Sequence, residues 1–314
     1  MELRQQSLDV LVSEVGPRDG LQSVKRTMCT DDKFAWISAL AAAGLREIEV
    51  GSFVPPKLLP QLADTAAVVA HARKIPGLHV TALVPNLRGA QAAFAAGIHK
   101  ITLPISVSEA HSLANVRKTH AQMIDEAKAI VALRNEQYAG VQIEAGMATA
   151  FGCTIQGVVP EDDTMRLAVI MAECGVDEVG LSDTCGYANP AQVKRLFSRL
   201  QAELGGKAGG AHFHNTRGQG LANVVAALDV GVTTFDASQG GIGGCPYAPG
   251  ATGNIVTEDL VFLLEAMGLH TGVDLDKLLA ARELLAKGLP GEPLYGDVAA
   301  AGLPKGFAYA KGGV

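Results

Sequence analysis

The stretch "GGAHFHNTRGQGLANVVAALD", Gly209 to Asp229, contains the unit from which the whole chain is built. Its first part, Gly209–Asn215, reads as a short β-strand, and its last part, Gly220–Asp229, reads as a helix rich in alanine, leucine and valine. Because side chains alternate between the two faces of a strand, His212 and His214 project from the same face. The stretch therefore predicts a strand–helix unit with two parallel imidazoles at the end of its strand.

The same alternation of strand and helix recurs along the chain, with strand starts roughly 20–40 residues apart, as in βαβ units of a parallel sheet. The predicted strands are DVLVSEV (9–15), REIEVGSF (46–53), HVTALVP (79–85), KITLPIS (100–106), VQIEAGMA (141–148), DEVGLSD (177–183), GGAHFHN (209–215) and TTFDASQG (233–240). The predicted helices are Asp32–Ala43, Pro60–Ala72, Asn115–Arg134, Asp162–Glu173, Pro190–Leu204 and Gly220–Asp229.

Eight such units predict an α/β fold, a (β/α)8 TIM barrel with a short C-terminal helical extension. The first strand is not followed by G-x-G-x-x-G, which disfavours an open dinucleotide-binding sheet. We predict a single lyase domain over residues 1–314, with the Gly/Pro-rich residues 285–314 as the extension.

Composition limits the classes of partner. The net charge is −6, aromatic residues make up 5% of the chain, and there is no dense Lys/Arg run, so we expect neither nucleic-acid nor membrane binding. Five cysteines without a C-x-x-C pair favour free thiols in a reducing compartment. With no apolar signal segment at the N-terminus and no apolar run of ~18 residues, we predict a cytoplasmic protein.

Polar residues collect at the carboxyl ends of the predicted strands, the end at which TIM-barrel enzymes build their active sites. They are Glu14, Arg18, Asp19 and Gln22 after the first strand, Glu49 and Ser52 at the second, Asp183 and Thr184 at the sixth, His212, His214 and Asn215 at the seventh, and Cys245 and Asn254 after the eighth.

A mixed set of nitrogen and oxygen donors stands out among these residues. His212 and His214, together with Asp19 and Asn254, would offer two nitrogens and two oxygens to a divalent cation. Ligation without a thiolate favours Mg²⁺ or Mn²⁺, and leaves Co²⁺ and Zn²⁺ open. The alternative for the two histidines is a hydrogen-bonded structural pair.

The segment "QGGIGGCPYAPGATGN", Gln239 to Asn254, contains six glycines in sixteen residues. Such a chain is flexible, which suits a lid over an active site. Closure of a lid would bring the Cys245 thiol to a reacting carbon. The alternative is a long turn with an incidental cysteine.

Four motifs carry a family resemblance: "EVGPRDGLQ", "EVGSFVPPKLLPQLAD", "AHFHNTRGQGLAN" and "GGIGGCPYAPGATGNIVTEDLV". They closely resemble the hydroxymethylglutaryl-CoA lyase family, metal-dependent TIM-barrel lyases related to isopropylmalate synthases. The resemblance extends over residues 7–290, and the segment "GGCPYAPGATGN" is its most specific part, since R-D-G-x-Q alone is shared with the synthases.

The resemblance implies roles for individual residues. Asp19, His212, His214 and Asn254 would bind the cation, Arg18 would stabilise an enolate oxygen, and Glu49 would support Arg18 and the cation site. Cys245 would act in proton transfer, and His212 or Asp19 would be the base that takes the hydroxyl proton. The substrate would contact Gln22, Ser52, Asp183 and Thr184.

The implied reaction is retro-Claisen cleavage of a 3-hydroxy-3-methylacyl-CoA, foremost hydroxymethylglutaryl-CoA to acetyl-CoA and acetoacetate. It would need Mg²⁺ or Mn²⁺ and no nucleotide cofactor beyond the CoA of the substrate. A dimer is the expected assembly. A Claisen-condensing synthase is the alternative enzyme, although the chain lacks the long C-terminal regulatory region of those enzymes, and a non-catalytic barrel is the third reading.

Three departures from the family pattern bear on the acyl substrate. Relatives of the mitochondrial enzyme read R-G-Y-V-S-C where this chain reads "EAGMAT", which puts Glu144 in the place of the arginine. The family's "CPYEG" is "CTIQG" here, and "HCHDTYG" is "HFHNTRG", which adds Arg217. These changes leave the cation ligands intact and open citramalyl-CoA or a related 3-hydroxyacyl-CoA as an alternative substrate.

Overall fold

The computed structural model describes residues 8–243 and 253–310, and all eight predicted strands form within them. The strands pair in sequence order, all parallel, and β1 pairs with both β2 and β8, so the sheet closes into a barrel. The predicted (β/α)8 fold is confirmed. The strands are β1 (Leu11–Glu14), β2 (Glu47–Ser52), β3 (His79–Leu83), β4 (Lys100–Ser106), β5 (Gln142–Ala148), β6 (Glu178–Asp183), β7 (Ala208–Phe213) and β8 (Thr234–Ala237).

Helices follow the strands and cover the outside of the barrel. They are α1 (Leu21–Ser23), α2 (Thr30–Ala42), α3 (Thr65–Ala72), α4 (Leu87–Ala95), α5 (Glu109–Asn115), α6 (His120–Gln137), α7 (Glu161–Cys174), α8 (Pro190–Leu204), α9 (Gly220–Leu228), α10 (Thr257–Ala266), α11 (Leu275–Gly288) and α12 (Asp297–Ala301). Short turns of other helix types occur at Gly16–Gly20, Pro60–Leu62, Gly205–Lys207 and Gln239–Gly241.

The predicted helix Asn115–Arg134 forms from His120 onward as part of α6, but its predicted start is wrong, because a second helix ends at Asn115. Helix α5 ends at Asn115, and α6 begins at His120 behind a capping box in which Thr119 and Gln122 bond each other's backbone N–H. Between them Arg117 has a φ of 58°, which no α-helix contains. Helix α4 was not predicted from the sequence; it begins at the N-cap Asn86, whose side chain accepts a hydrogen bond from the Gly89 N–H.

The two faces of the barrel strands differ in polarity. Apolar strand residues such as Ile48, Val80 and Phe235 belong to the core between sheet and helices. The alternate residues line a cavity of about 650 Å³ inside the barrel, and on this inner side the strands carry mainly polar side chains and glycine. The inward residues include Ser13, Glu47, Thr81, Lys100, Thr102, Glu144, Gly146, Glu178, Gly180, Gly210, Thr234 and Asp236. The hydrophobic core is therefore the layer between the sheet and the helices, and the inside of the barrel is a polar cavity.

A buried ion cluster lies inside the barrel. The Lys100 Nζ is 2.7 Å from Glu47 Oε1 and 3.2 Å from Glu144 Oε2. Burial would lower the pKa of Lys100, but the neighbouring carboxylates raise it well above its ordinary value. Burial raises the pKa of Glu144 to about 7. Lys100 thus offsets the carboxylate charge that the inward faces of β2 and β5 place in the cavity.

The C-terminal residues pack on the helices that follow β8. The Leu275 N–H donates to the Tyr309 hydroxyl at 2.9 Å, and the Ala310 N–H donates to Glu265 Oε2 at 2.9 Å. In the described ranges no helix is long and apolar enough to cross a membrane. Cys29, Cys153 and Cys174 carry free thiols.

Gly209 lets β7 pass close to β6. A Cβ at this position would lie 3.0 Å from both the backbone carbon and the backbone oxygen of Val179. The pairing register of β6 and β7 also shifts between Val179 and Leu181. Gly206, three residues earlier, has nothing within 4 Å of an added Cβ.

We expect Gly209→Ala to lower the free energy of unfolding by about 1–3 kcal/mol, because the two strands must separate to admit the methyl group. Gly206→Ala, the matched control, should change it by less than about 0.5 kcal/mol. Urea unfolding followed by circular dichroism measures both. Equal midpoints for the two variants would show that the β6–β7 contact tolerates a side chain.

Candidate active site

Arg18 and Asp19 reach the mouth of the barrel on a tight turn. After β1 ends, residues Gly16–Gly20 form a π-helical turn in which the Val15 carbonyl accepts a hydrogen bond from the Asp19 N–H at 2.7 Å. Glu14, at the end of β1, is fully buried and accepts hydrogen bonds from the Gly16 N–H at 2.8 Å and the Thr257 hydroxyl at 2.7 Å. Burial raises the pKa of Glu14 to about 8. Glu14 therefore fastens the turn rather than facing the cavity.

Arg18 joins the first two strands at this mouth. Its guanidinium is buried, and it donates through Nε to Glu49 Oε2 and through Nη1 to Asp19 Oδ1, the latter at 2.7 Å. Both carboxylates raise the pKa of Arg18 despite its burial. The side chain is consequently a permanently charged, doubly oriented group that lines the cavity.

Asp19, His212 and His214 converge on one point. A ligand atom of each lies within 4.8 Å of the others. The two imidazole Nε2 atoms are 3.1 Å apart, and His214 Nε2 is 3.8 Å from Asp19 Oδ2. Asn254 joins the set by donating from Nδ2 to Asp19 Oδ2 at 2.7 Å. The four predicted cation ligands are thus assembled from the ends of β1, β7 and β8.

The charges of this cluster suit a cation. Burial would raise the pKa of Asp19, but Arg18 and the two imidazoles outweigh it and lower that pKa to about 2. Burial lowers the pKa of His214 to about 4, and the neighbouring His212 adds to the effect. An ionised carboxylate beside a neutral imidazole is the protonation state that metal binding requires.

Two buried atoms of the cluster lack a hydrogen-bond partner among the described residues. They are Asn254 Oδ1 and His214 Nδ1, and both residues are at most 5% exposed. An unpaired buried amide oxygen costs free energy unless a ligand satisfies it. Asn254 Oδ1, beside a carboxylate and two imidazoles, therefore fits a divalent cation with mixed oxygen and nitrogen ligands.

Asp236 orients His212 and was missed in the sequence. Its Oδ2 lies 3.0 Å from His212 Nδ1, which leaves Nε2, 3.1 Å from His214 Nε2, as the nitrogen available to a cation. Burial acts to lower the pKa of His212, but Asp236 raises it above its ordinary value. Asp236 lies directly across from His212 in the β7–β8 register. The sequence shows an aspartate in the eighth strand, but it does not show which residue of the seventh strand that aspartate faces.

The other predicted site residues divide into two groups. Gln22, Glu49 and Thr184 line the cavity with Arg18 and with Asp19, His212 and His214, which together with Asn254 form the cation cluster, the candidate ligands of the cation.

Asp183 and Ser52 are buried and are not part of the cavity lining. The Asp183 carboxylate accepts from the backbone N–H groups of Tyr187 at 2.8 Å and Ala188 at 3.1 Å, which shapes the loop after β6. Cys245 lies outside the described residues.

Two of the departures from the family pattern fall at different depths. Glu144 belongs to the ion cluster with Lys100 inside the barrel. Arg217 lies at the rim, with its guanidinium 4.7 Å from the centre of the Tyr187 ring and a 2.9 Å hydrogen bond to the Gly186 carbonyl. It lines a groove separate from the central cavity.

A closed parallel barrel with a cation cluster and a buried arginine at the carboxyl ends of its strands defines a TIM-barrel enzyme of the metal-dependent class. Comparison with known proteins gives the family. The family model described as HMGL-like matches residues 9–285, and the chain belongs to this family.

Individual relatives agree over nearly the whole chain. The hydroxymethylglutaryl-CoA lyase YngG of Bacillus subtilis is 42% identical over 285 residues, which cover 91% of this chain and 94% of the relative. A 3-hydroxy-3-isohexenylglutaryl-CoA/hydroxymethylglutaryl-CoA lyase of Pseudomonas aeruginosa is 39% identical, with coverage of 87% and 90%.

A solved structure is equally similar. An HMG-CoA lyase from Acinetobacter baumannii, in complex with coenzyme A and 3-methylmalate, superposes with a TM-score of 0.89 at 40% identity. The match covers 95% of this chain and 97% of that protein.

Asp236→Asn tests the cation cluster without removing a ligand. The amide loses the charge that orients the His212 ring, so we expect the affinity for Mn²⁺ to fall about 10–100-fold. Isothermal titration of the purified protein with Mn²⁺ measures it. Asp229→Asn is the control, because Asp229 forms a surface ion pair with Lys194. The Mn²⁺ affinity of this variant should match that of the wild type. An unchanged affinity in Asp236→Asn would remove Asp236 from the site.

Proposed function

We propose that the protein cleaves hydroxymethylglutaryl-CoA to acetyl-CoA and acetoacetate. The observation that carries this proposal is the placement of the Arg18 guanidinium 2.7 Å from Asp19, beside the imidazole pair and inside one cavity. A cation cluster and a fixed positive charge side by side suit a reaction that needs two oxygens activated at once. The similar lyases of known activity support the same assignment.

In this reaction the 3-hydroxyl loses its proton and becomes a ketone. The C2–C3 bond breaks, and its electron pair moves into the thioester to form the enolate of acetyl-CoA. A proton delivered to C2 completes acetyl-CoA, and the other fragment is acetoacetate. The protein must therefore supply a base for the hydroxyl, positive charge for the enolate oxygen and an acid for C2.

Arg18 is the group we assign to the enolate oxygen. Its Nε and Nη1 are held by Glu49 and Asp19, so its orientation is set before substrate arrives. Preorganised charge of this kind stabilises a developing anion without reorganisation. Glu49 is the positioning residue for Arg18.

Asp19, His212, His214 and Asn254 would hold the divalent cation, for which we propose Mg²⁺ or Mn²⁺ because no thiolate is among the donors. When bound, the cation would supply Lewis-acid polarisation of the substrate's 3-hydroxyl and an adjacent oxygen.

His212 and Asp19 are the two candidates for the base that takes the 3-hydroxyl proton, and both belong to the set that would hold the cation. Asp236 raises the pKa of His212, while Arg18 and the imidazoles lower the pKa of Asp19 to about 2. Cys245 remains the predicted acid for C2, on the family resemblance alone.

The test is release of acetyl-CoA by metal-free and Mn²⁺- or Mg²⁺-loaded protein from a panel of thioesters. We expect turnover of hydroxymethylglutaryl-CoA only with cation present. Faster turnover of citramalyl-CoA or 3-hydroxy-3-isohexenylglutaryl-CoA would replace the proposed substrate. Failure to cleave any member of the panel with cation bound would refute the lyase assignment.

Arg18→Gln should lower kcat about 100-fold or more, because the enolate charge loses its only fixed cationic partner in the assigned mechanism. Steady-state kinetics with hydroxymethylglutaryl-CoA measures it, and Mn²⁺ titration of the same sample checks the cation site. Arg217→Gln is the control and should retain kcat within about 3-fold, since its side chain lines a different groove. A variant that binds Mn²⁺ more weakly but keeps the wild-type kcat at saturating metal would contradict the assignment. Arg18 would then only position Asp19 and would not stabilise the enolate.

A further inference from the structure

This inference rests on the proposed function, in which the substrate is a thioester of CoA. CoA carries a diphosphate and a 3′-phosphate, and the chain itself has a net charge of −6. The overall field therefore disfavours an anionic substrate, and a local cation at the cavity rim would offset that repulsion.

One side of the cavity rim has the chemistry to receive the long arm of CoA. Apolar residues following β2 line it, among them Val54, Pro55 and Leu58, and Leu58 is 64% exposed. The segment between α5 and α6 faces the same cavity with Asn115, Val116, Arg117 and Lys118. An apolar wall opposite polar and cationic side chains suits a pantetheine arm that ends in phosphate.

Arg117 differs from the other cations of this cavity. Among the described residues, the lysines and arginines that line the cavity are Arg18, Lys100, Arg117 and Lys118. Three of them are bound to carboxylates: Arg18 to Glu49 and Asp19, Lys100 to Glu47 and Glu144, and Lys118 to Glu126. Arg117 is exposed and has no ion pair with a residue in 8–243 or 253–310.

The backbone presents Arg117 in a fixed and costly conformation. Its φ of 58° is one of two positive values at non-glycine residues in the described chain. The residue before Arg117 is held by the Val116 N–H, which donates to the Ser112 carbonyl at 2.9 Å. The residues after it are held by the Ser112 hydroxyl, which donates to the Lys118 carbonyl at 2.7 Å, and by the capping box at Thr119. Left-handed backbone is sterically unfavourable at an arginine, so the surrounding contacts must impose it.

We propose that Arg117 binds a phosphate of the CoA moiety at the rim of the active-site cavity. A guanidinium can donate two parallel hydrogen bonds to phosphate oxygens, and an unpaired one need not break an ion pair to do so. Arg117 thereby distinguishes CoA thioesters from thioesters without phosphate.

Two variants separate charge from backbone conformation. Arg117→Asn removes the charge and keeps a residue that tolerates positive φ, and Arg117→Lys keeps the charge but loses the planar fork. Arg88→Gln removes one positive charge from an exposed helix position outside the cavity and is the matched control.

The primary measurement is binding of CoA and of pantetheine, which lacks the diphosphate and 3′-phosphate, by isothermal titration. Arg117→Asn should weaken CoA binding about 10-fold and leave pantetheine binding unchanged, with Arg117→Lys in between. Arg88→Gln should match the wild type for both ligands. CoA binding by Arg117→Asn should also depend less steeply on salt.

Two results would overturn the proposal. One is wild-type CoA affinity in Arg117→Asn, and the other is an equal loss for CoA and pantetheine, which would make Arg117 a structural part of the rim. The outcome is independent of the cleavage assay: a CoA-selective loss in a protein that cleaves no thioester would sustain the phosphate site and refute the lyase assignment, and active lyase with unaltered Arg117→Asn would do the reverse.

Discussion

The hydrogen bond from Asn254 to Asp19, 2.7 Å long, spans 235 positions of sequence, and the candidate active site depends on the barrel closure that permits it. Asp19 follows β1, the histidines end β7 and Asn254 follows β8. Parallel pairing of β1 with β8 brings these ends together. An open sheet would leave Asp19 at the opposite edge from the imidazoles. Closure is therefore the step that creates both the cation cluster and the cavity beneath it.

Closure around a polar interior has an electrostatic cost. Three glutamates line the cavity: Glu47, Glu144 and Glu178. Lys100 compensates their charge at the inner end of the barrel through ion pairs with Glu47 and Glu144. At the mouth of the barrel, Arg18 compensates the charge of Glu49 and Asp19 by pairing with both. Removing either cation would leave buried carboxylates unpaired, which is far more costly than losing a surface ion pair. The apolar layer between sheet and helices must supply the stability that permits these interior charges.

The architecture and most of the site were readable from the sequence because each rests on a local pattern. Strands appear as short apolar runs, and polar residues after them mark the mouth. The failures involve geometry that residue type does not encode. The break between α5 and α6 depends on a capping box, the role of Asp236 depends on strand register, and the inward or outward aim of Asp183 depends on the loop that its carboxylate organises. Helix α4 was missed because Pro85, Asn86 and Gly89 read as a turn at the point where the helix begins.

Glu144 lies deeper in the barrel than the candidate cation ligands, so a change at this position can affect substrate choice without affecting cation binding. Glu144 pairs with Lys100, while the candidate cation ligands lie at or just beyond the ends of β1, β7 and β8. Gly146, one inward step closer to the mouth on β5, leaves space where the family pattern has a tyrosine. A departure at these two positions reshapes and recharges the wall of the cavity without touching a predicted ligand. A protein of this kind can keep its cation ligands and still accept a different acyl group, because the two depend on residues at different depths in the barrel.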